Sequence, residues 1–184
     1  MIQTVNGSVI NPFKFKADDI KLEELAHALA CQNRFFGHAR YPISIAQHAV
    51  SVSLLAIGHE MQGLHHDDSE AILGDINKWL KQSSCFADYR KIEDDIQTEF
   101  YRKFNCPLKM SRVVSMADRI AVRCEMVFAF GPNYPALHPS YGSPDKEELD
   151  FFLKVTQFKE MSWKQAEELY LERHFSLSGV AHHA

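Results

Sequence analysis

The sequence predicts an all-α protein in one domain covering residues 1–184, and three observations carry that reading. From residue 20 onward, apolar residues recur at three- and four-residue spacing over most of the chain. Two of these stretches are preceded by a Ser three residues ahead of a Gln, a helix-start signature. No stretch alternates apolar and polar residues convincingly over the length of a strand. With 184 residues, of which 46% are apolar and 24% charged, the chain can bury a sizeable core and does not read as disordered.

The elements follow in order. The first seventeen residues lack strong periodicity and carry the turn signals Asn6-Gly7 and Asn11-Pro12. From Ile20 a helix is marked by Leu22, Leu25, Ala26 and Leu29, with Asp18, Asp19, Glu23 and Glu24 near its N-terminus. Acidic side chains there meet unpaired amides and the positive end of the helix dipole. A loop from Asn33 to Pro42 follows. Ser44 and Gln47 then read as a capping box that opens a helix running through Val50, Val52, Leu54 and Leu55 to Gly58. A second helix is expected from about His59 to Leu73, ending at Gly74.

Tyr89, Ile92, Ile96, Phe100 and Phe104 form a clean stripe, so the next helix turns one face to the core. Another is expected over about Met110 to Phe130, with Val113, Ala117, Ile120, Cys124 and Val127 on one side. The region 131–184 is expected to hold a loop punctuated by Pro132, Pro135 and Pro139 and then further helices. One starts at Ser143-Pro144 and one is capped by Ser162 and Gln165.

A formal charge of −4 argues against a chain whose work is gripping a nucleic-acid polymer or an anionic membrane. No apolar run approaches the roughly 18 residues that span a bilayer. The N-terminus has no secretory pattern, so a cytoplasmic location is expected. Cys31, Cys85, Cys106 and Cys124 are scattered without a C-x-x-C pair, which points to buried free thiols rather than disulfides or a thiolate zinc site.

The densest chemistry lies in Gly63-Leu64-His65-His66-Asp67-Asp68-Ser69-Glu70-Ala71 and Gly74-Asp75. On a helix, His66 and Glu70 are one turn apart, with Asp67 beside them. A divalent cation needs further ligands from elsewhere. His48, at the fourth position of its helix, and Asp118, among the apolar neighbours Ala117 and Ile120, each offer one. The alternative for Asp118 is a simple ion pair with Arg119 or Arg123. His65 points to another side of the helix and is expected to be hydrogen-bonded in the core. His27, His59, His138, His174, His182 and His183 show no partner spacing.

Read in order, His48, His66-Asp67 and Asp118 resemble the H…HD…D pattern of the HD-domain metal-dependent phosphohydrolases. Asn33-Arg34-Phe35, Ser44 to His48, Gly63 to Ala71, Gly74-Asp75 and Lys81 run in the order of the bacterial 5′-deoxynucleotidase branch, with phage dATP triphosphohydrolases as close relatives. Ala117-Asp118 with Glu125 resembles that branch's closing motif. The resemblance covers about residues 20–130 and implies a compact helical bundle with the metal site between helices.

It further implies that His48, His66, Asp67 and Asp118 hold one divalent ion, Co²⁺, Mn²⁺, Mg²⁺ or Zn²⁺. Glu70 and Asp75 would be catalytic, with room for a second ion beside them. Arg34 and Lys81 would grip phosphate, with Lys78 a further cation, while Phe35, Phe36 and Trp79 would line the base. His38 lies in the same loop as Arg34. The implied activity is hydrolysis of deoxynucleoside 5′-monophosphates by a homo-oligomer. Triphosphate hydrolysis of dATP, a non-catalytic binding module with the same fold, and a guanosine-alarmone hydrolase are the rivals. Only eighteen residues separate His48 from His66, a short connection for the group, and Asp68, Ser69 and Trp79 depart from its usual residues.

Overall fold

The computed structural model describes residues 1–131 and 142–179. Most of the expected proline-punctuated loop, with His138, His182 and His183, lies outside the described residues. Within them the fold is all-α, as the sequence predicts. Nine α-helices follow a short hairpin: α1 Leu22–Cys31, α2 Ile45–Leu55, α3 Glu60–Leu64, α4 Glu70–Leu73, α5 Lys78–Gln82, α6 Ala87–Lys103, α7 Arg112–Phe130, α8 Lys146–Thr156 and α9 Trp163–Ser178.

The hairpin is a correction to the strand-free expectation. β1 (Ile2–Gln3) pairs antiparallel with β2 (Val9–Ile10), and Gly7 at φ +90° turns the chain between them. Strands of two residues are too short to show alternation. The hairpin is held to α1 because the Thr4 and Ser8 hydroxyls both reach the buried carboxylate of Glu24.

α2 is the hub of the bundle. Residues 45–53 are all buried, and α1, α3, α7, α8 and α9 pack around it. A helix buried on every side must be apolar or internally satisfied all round. Most of its polar groups are bonded, with Gln47 Oε1 and His48 Nε2 the exceptions. Ser44 accepts from the Gln47 amide at 3.1 Å, and Ser51 donates to the Gln47 carbonyl at 3.1 Å. The reciprocal half of the expected capping box is absent: the Gln47 side chain donates instead to the Lys159 carbonyl, 2.8 Å away.

One apolar cluster lies where α1, α2, α6 and α9 meet, centred on Leu25, Leu29, Ile96, Phe100 and Tyr170. A second joins α2, α7 and α8 through Val52, Val114, Ala121 and Phe152. The α6 stripe is as expected, with Ile96 and Phe100 buried. On α7 the buried residue is Val114 rather than Val113, which is exposed. α8 starts at Lys146 with Asp145 as its cap, two residues later than Pro144 would place it, because the Asp145 carboxylate accepts from the Glu148 amide at 2.8 Å. Cys106 and Cys124 are buried, but Cys31 and Cys85 are exposed, contrary to the expectation for the four thiols.

The expected helix from His59 to Leu73 is broken, and the break builds the site. α3 stops at Leu64 and α4 begins at Glu70. Between them His65 and Asp68 bond to each other, while Gln97 of α6 donates to the His65 carbonyl at 2.6 Å and accepts from the Ser69 amide at 3.0 Å. Side chains that take up backbone groups in this way pull them out of the helical ladder. Gly63 completes the placement. A Cβ there would come within 3.0 Å of Ser53 Cα and 3.1 Å of Ala56 Cβ, so the bare glycine lets α3 lie against α2.

Candidate metal centre

His48 is fully buried in the first turn of α2, His66 and Asp67 sit in the turn after α3, and Asp118 lies on α7. Three separate elements thus converge. His48 Nε2 lies 3.2 Å from Asp118 Oδ1 and 3.8 Å from Asp67 Oδ2. His66 Nε2 lies 3.1 Å from Asp67 Oδ2 and 4.0 Å from Asp118 Oδ1. Donor atoms of His48, His66 and Asp118 all fall within 4.8 Å of one another, and this group could hold a metal ion.

The orientation of the rings is fixed from behind. His48 Nδ1 donates to Glu125 Oε1 at 2.9 Å, and His66 Nδ1 donates to the Gly63 carbonyl at 2.8 Å. Each imidazole therefore turns Nε2 toward the carboxylates, the arrangement seen when histidine serves as a ligand. Both Nε2 atoms are buried without a hydrogen-bond partner. Around a first-row ion with bonds of about 2.1 Å, adjacent donors lie about 3 Å apart and opposite ones about 4.2 Å. The separations of 3.2 and 4.0 Å between Asp118 and the two imidazoles fall in this range, so His48, His66 and Asp118 fit such an ion.

Electrostatics gives the same reading. Burial opposes charge on His66, but Asp67 and Asp118 outweigh it and raise the imidazole to about 9. His48 is also raised: burial and Arg34 push it down, and Glu125 and Asp118 push it up further. Burial favours the neutral carboxyl at Asp67 and Asp118, yet the two histidines hold both below the usual carboxylate range. The cluster demands positive charge. A proton meets that demand in part, and a divalent cation meets it more fully.

A cavity of about 430 Å³ opens over these groups, lined by Arg34, Phe35, Phe36, Glu70, Asp75 and Trp79 among others, with Lys78, Lys81, Asp67 and Asp118 also in its wall. All the sequence-derived site residues except His48 and His66 thus line the cavity, and those two histidines lie behind it. His38 is exposed and outside that lining. Arg34 is buried in a short 3₁₀ turn, its amide bonded to the Ile43 carbonyl at 2.8 Å. Its Nε lies 3.2 Å from Glu125 Oε2 and its Nη1 4.0 Å from Asp67 Oδ2.

Phe35 and Phe36 both adopt left-handed backbone conformations, φ 57° and 54°. Two such residues in succession cost on the order of 1–2 kcal/mol each, strain that tends to collect at functional sites. The turn seats Phe35 edge-on against Phe130, with ring centroids 5.3 Å apart, and leaves Phe36 58% exposed at the cavity.

Glu70 is buried, and burial together with Asp67 and Asp75 pushes its carboxyl well above the usual range. Lys81 is less free than the sequence implies: its ammonium lies 2.5 Å from Glu93 and 3.5 Å from Glu70. His65 behaves as expected, buried and away from the site. Its Nδ1 donates to Asp68 at 2.6 Å, and its Nε2 lies 2.9 Å from His174 Nδ1.

The sequence picks out Glu125 by its seven-residue spacing to Asp118, which sets both on one side of α7, but not its work of holding His48 and Arg34; it misses Glu93 altogether. Glu93 carries no comparable signal, since it reads as one of several acidic residues on the polar side of α6.

No known protein-family model matches the chain. Residues of the chain are 34% identical over 125 positions to a protein described as uncharacterized protein YfdR of Escherichia coli (strain K12), a stretch covering 67% of this chain and 69% of that protein. At that identity and coverage, the chain belongs to the YfdR family.

Proposed function

We propose that this chain is a divalent-metal-dependent phosphohydrolase of the HD type, acting on deoxynucleoside 5′-monophosphates to give the deoxynucleoside and phosphate. The carrying observation is the pair of buried Nε2 atoms of His48 and His66, held toward Asp118 and Asp67 at the floor of a cavity that also presents Arg34 and Glu70. A divalent ion held by His48, His66, Asp67 and Asp118 would polarise a phosphate oxygen and acidify bound water.

The other roles belong to the chain itself. Arg34, always charged, offers the guanidinium fork that suits phosphate oxygens, and Glu125 fixes its angle. Glu70, whose carboxyl burial and the charges of Asp67 and Asp75 push well above the usual range, is the candidate acid–base group at the reacting water. Asp75 stands beside Glu70 in the cavity wall and raises its proton affinity. Phe35, Phe36 and Trp79 offer ring faces for a base.

The test is incubation of the protein with dAMP and, separately, dATP in the presence of Co²⁺, Mn²⁺ or Mg²⁺, with product analysis. Phosphate from dAMP is the expected result. Triphosphate from dATP with inert dAMP would replace the substrate while keeping the site. No product with either nucleotide and any metal would overturn the reading.

A further inference from the structure

Away from the metal centre, α1 and α9 bring together a thiol, an imidazole and a carboxylate. Cys31 Sγ lies 3.7 Å from His27 Nε2, and His27 Nδ1 lies 3.0 Å from Glu167 Oε2. With the carboxylate accepting the Nδ1 proton, Nε2 keeps its lone pair and turns it to the thiol. Nucleophile, base and orienting group then stand in the order that activates a nucleophile. Trp163 packs edge-on against the His27 ring, centroids 5.3 Å apart, and limits its rotation.

Two further observations say what could react. Cys31 is exposed and forms part of the wall of a cavity of about 270 Å³, together with Asn33, Pro42, Met161 and Trp163. That is room for a small adduct. Cys31 is also the last residue of α1, where a helix presents carbonyl oxygens rather than amides. Such a position disfavours an acyl substrate, whose intermediate needs amide donors, and leaves sulfur chemistry that develops no oxyanion.

We propose that Cys31 is a base-assisted nucleophilic thiol, a modification site that exchanges with low-molecular-weight disulfides through His27 and Glu167. Cys31 gives its proton to His27 Nε2 as its sulfur attacks one sulfur of the disulfide. A bond forms between Cys31 and that half, the original S–S bond breaks, and the departing thiolate takes the proton from the imidazolium. Cys31 is oxidised to a mixed disulfide, and the other half of the reagent is reduced to a thiol. Burial and the charge of Glu167 hold the Cys31 thiol above its usual range, so the thiol stays protonated near neutral pH and the base is needed.

Cys85 supplies an internal control. It is also exposed, but its sulfur faces the Ser83 hydroxyl at 2.9 Å. The experiment treats the full chain with oxidised glutathione and follows the Cys31 and Cys85 peptides by mass spectrometry over time. Cys31 is expected to react at least about tenfold faster than Cys85, the low end of general-base assistance. His27→Ala should bring Cys31 down to the Cys85 rate, and Glu167→Gln should give an intermediate rate. Continued protection of the buried Cys106 and Cys124 reports that each variant is folded. Equal rates at Cys31 and Cys85 in the wild type, or an unchanged Cys31 rate in folded His27→Ala or Glu167→Gln, would overturn the proposal.

Discussion

Glu125 accepts the Nδ1 proton of His48 at 2.9 Å, from a position with no solvent exposure at all. Its other oxygen lies 3.2 Å from Arg34 Nε, so one carboxylate orients a candidate metal donor and the Arg34 guanidinium together. Gln at this position could still accept from His48, but its amide would set a donor against the Arg34 N–H. Glu125→Gln should weaken Mn²⁺ binding by about 10- to 100-fold, the range for loss of a group that orients a ligand. Titration calorimetry on wild type and variant checks this.

Asp118 contributes the donor that α7 brings to the cluster. Asp118→Ala should remove most of the metal-dependent rise in melting temperature, because a ligand stabilises only the state that binds it. In the absence of metal the variant should melt below the wild type, since the buried imidazoles of His48 and His66 lose a carboxylate partner. Differential scanning fluorimetry with and without Mn²⁺, after chelation, separates the two effects.

The metal-free protein should lose stability as pH rises from about 6.5 toward 9. His66 is raised to about 9 in the folded state, so its contribution is complete below the unfolded value near 6.5 and gone above the folded one. The melting temperature should fall steadily across that window, with most of the loss between pH 7 and 9. Metal-loaded protein should show the opposite slope over the same range, because protons and cation compete for Nε2. Melting curves at pH 6, 7, 8 and 9 with chelator or Mn²⁺ would refute the assignment if both slopes ran the same way.

On the acid side a different histidine governs. Burial and the neighbouring His65 lower His174 to about 4, while Asp68 acts weakly the other way. Its Nδ1–H can then donate to His65 Nε2, and His65 Nδ1 and the Tyr170 hydroxyl both donate to Asp68. The unfolded chain takes up the proton first, so stability should fall as pH drops from about 6.5 to about 4. His174→Phe should flatten that limb, read again from melting temperatures.

Tyr170→Phe removes a buried hydroxyl 2.7 Å from Asp68 Oδ1. It should cost about 1–3 kcal/mol, because Asp68 is fully buried and loses a donor it cannot replace with water. Urea unfolding measures the loss. A neutral outcome would mean that solvent reaches the network.

Much of the bundle is legible in the sequence because apolar spacing and capping residues act locally. The α6 stripe, the Ser162 cap and the end of α4 at Gly74 all follow from neighbours within one turn. What escapes depends on contacts distant in the chain. The break between α3 and α4 is made by Gln97, 28 residues beyond Ser69, and nothing near His65 announces it. Asp68, an odd residue by resemblance alone, becomes intelligible only when Tyr170 is brought against it, 102 positions away. At the site, His48, His66, Asp67 and Asp118 are readable as a set, whereas the pairing of Lys81 with Glu93 requires α5 and α6 to be seen docked.

The packing of α9 on α1 has a consequence for biosynthesis. Ala166 and Tyr170 belong to the same buried cluster as Ala26 and Leu29, so α1 is completed by α9, more than 130 residues later. A nascent chain emerging from the ribosome can form α1 and α2 early, but their apolar surfaces stay uncovered until residues 163–178 have cleared the exit tunnel. Folding of this core therefore waits for residues 163–178 to be made, and a stop codon placed before Trp163 would release a chain with its central helices open.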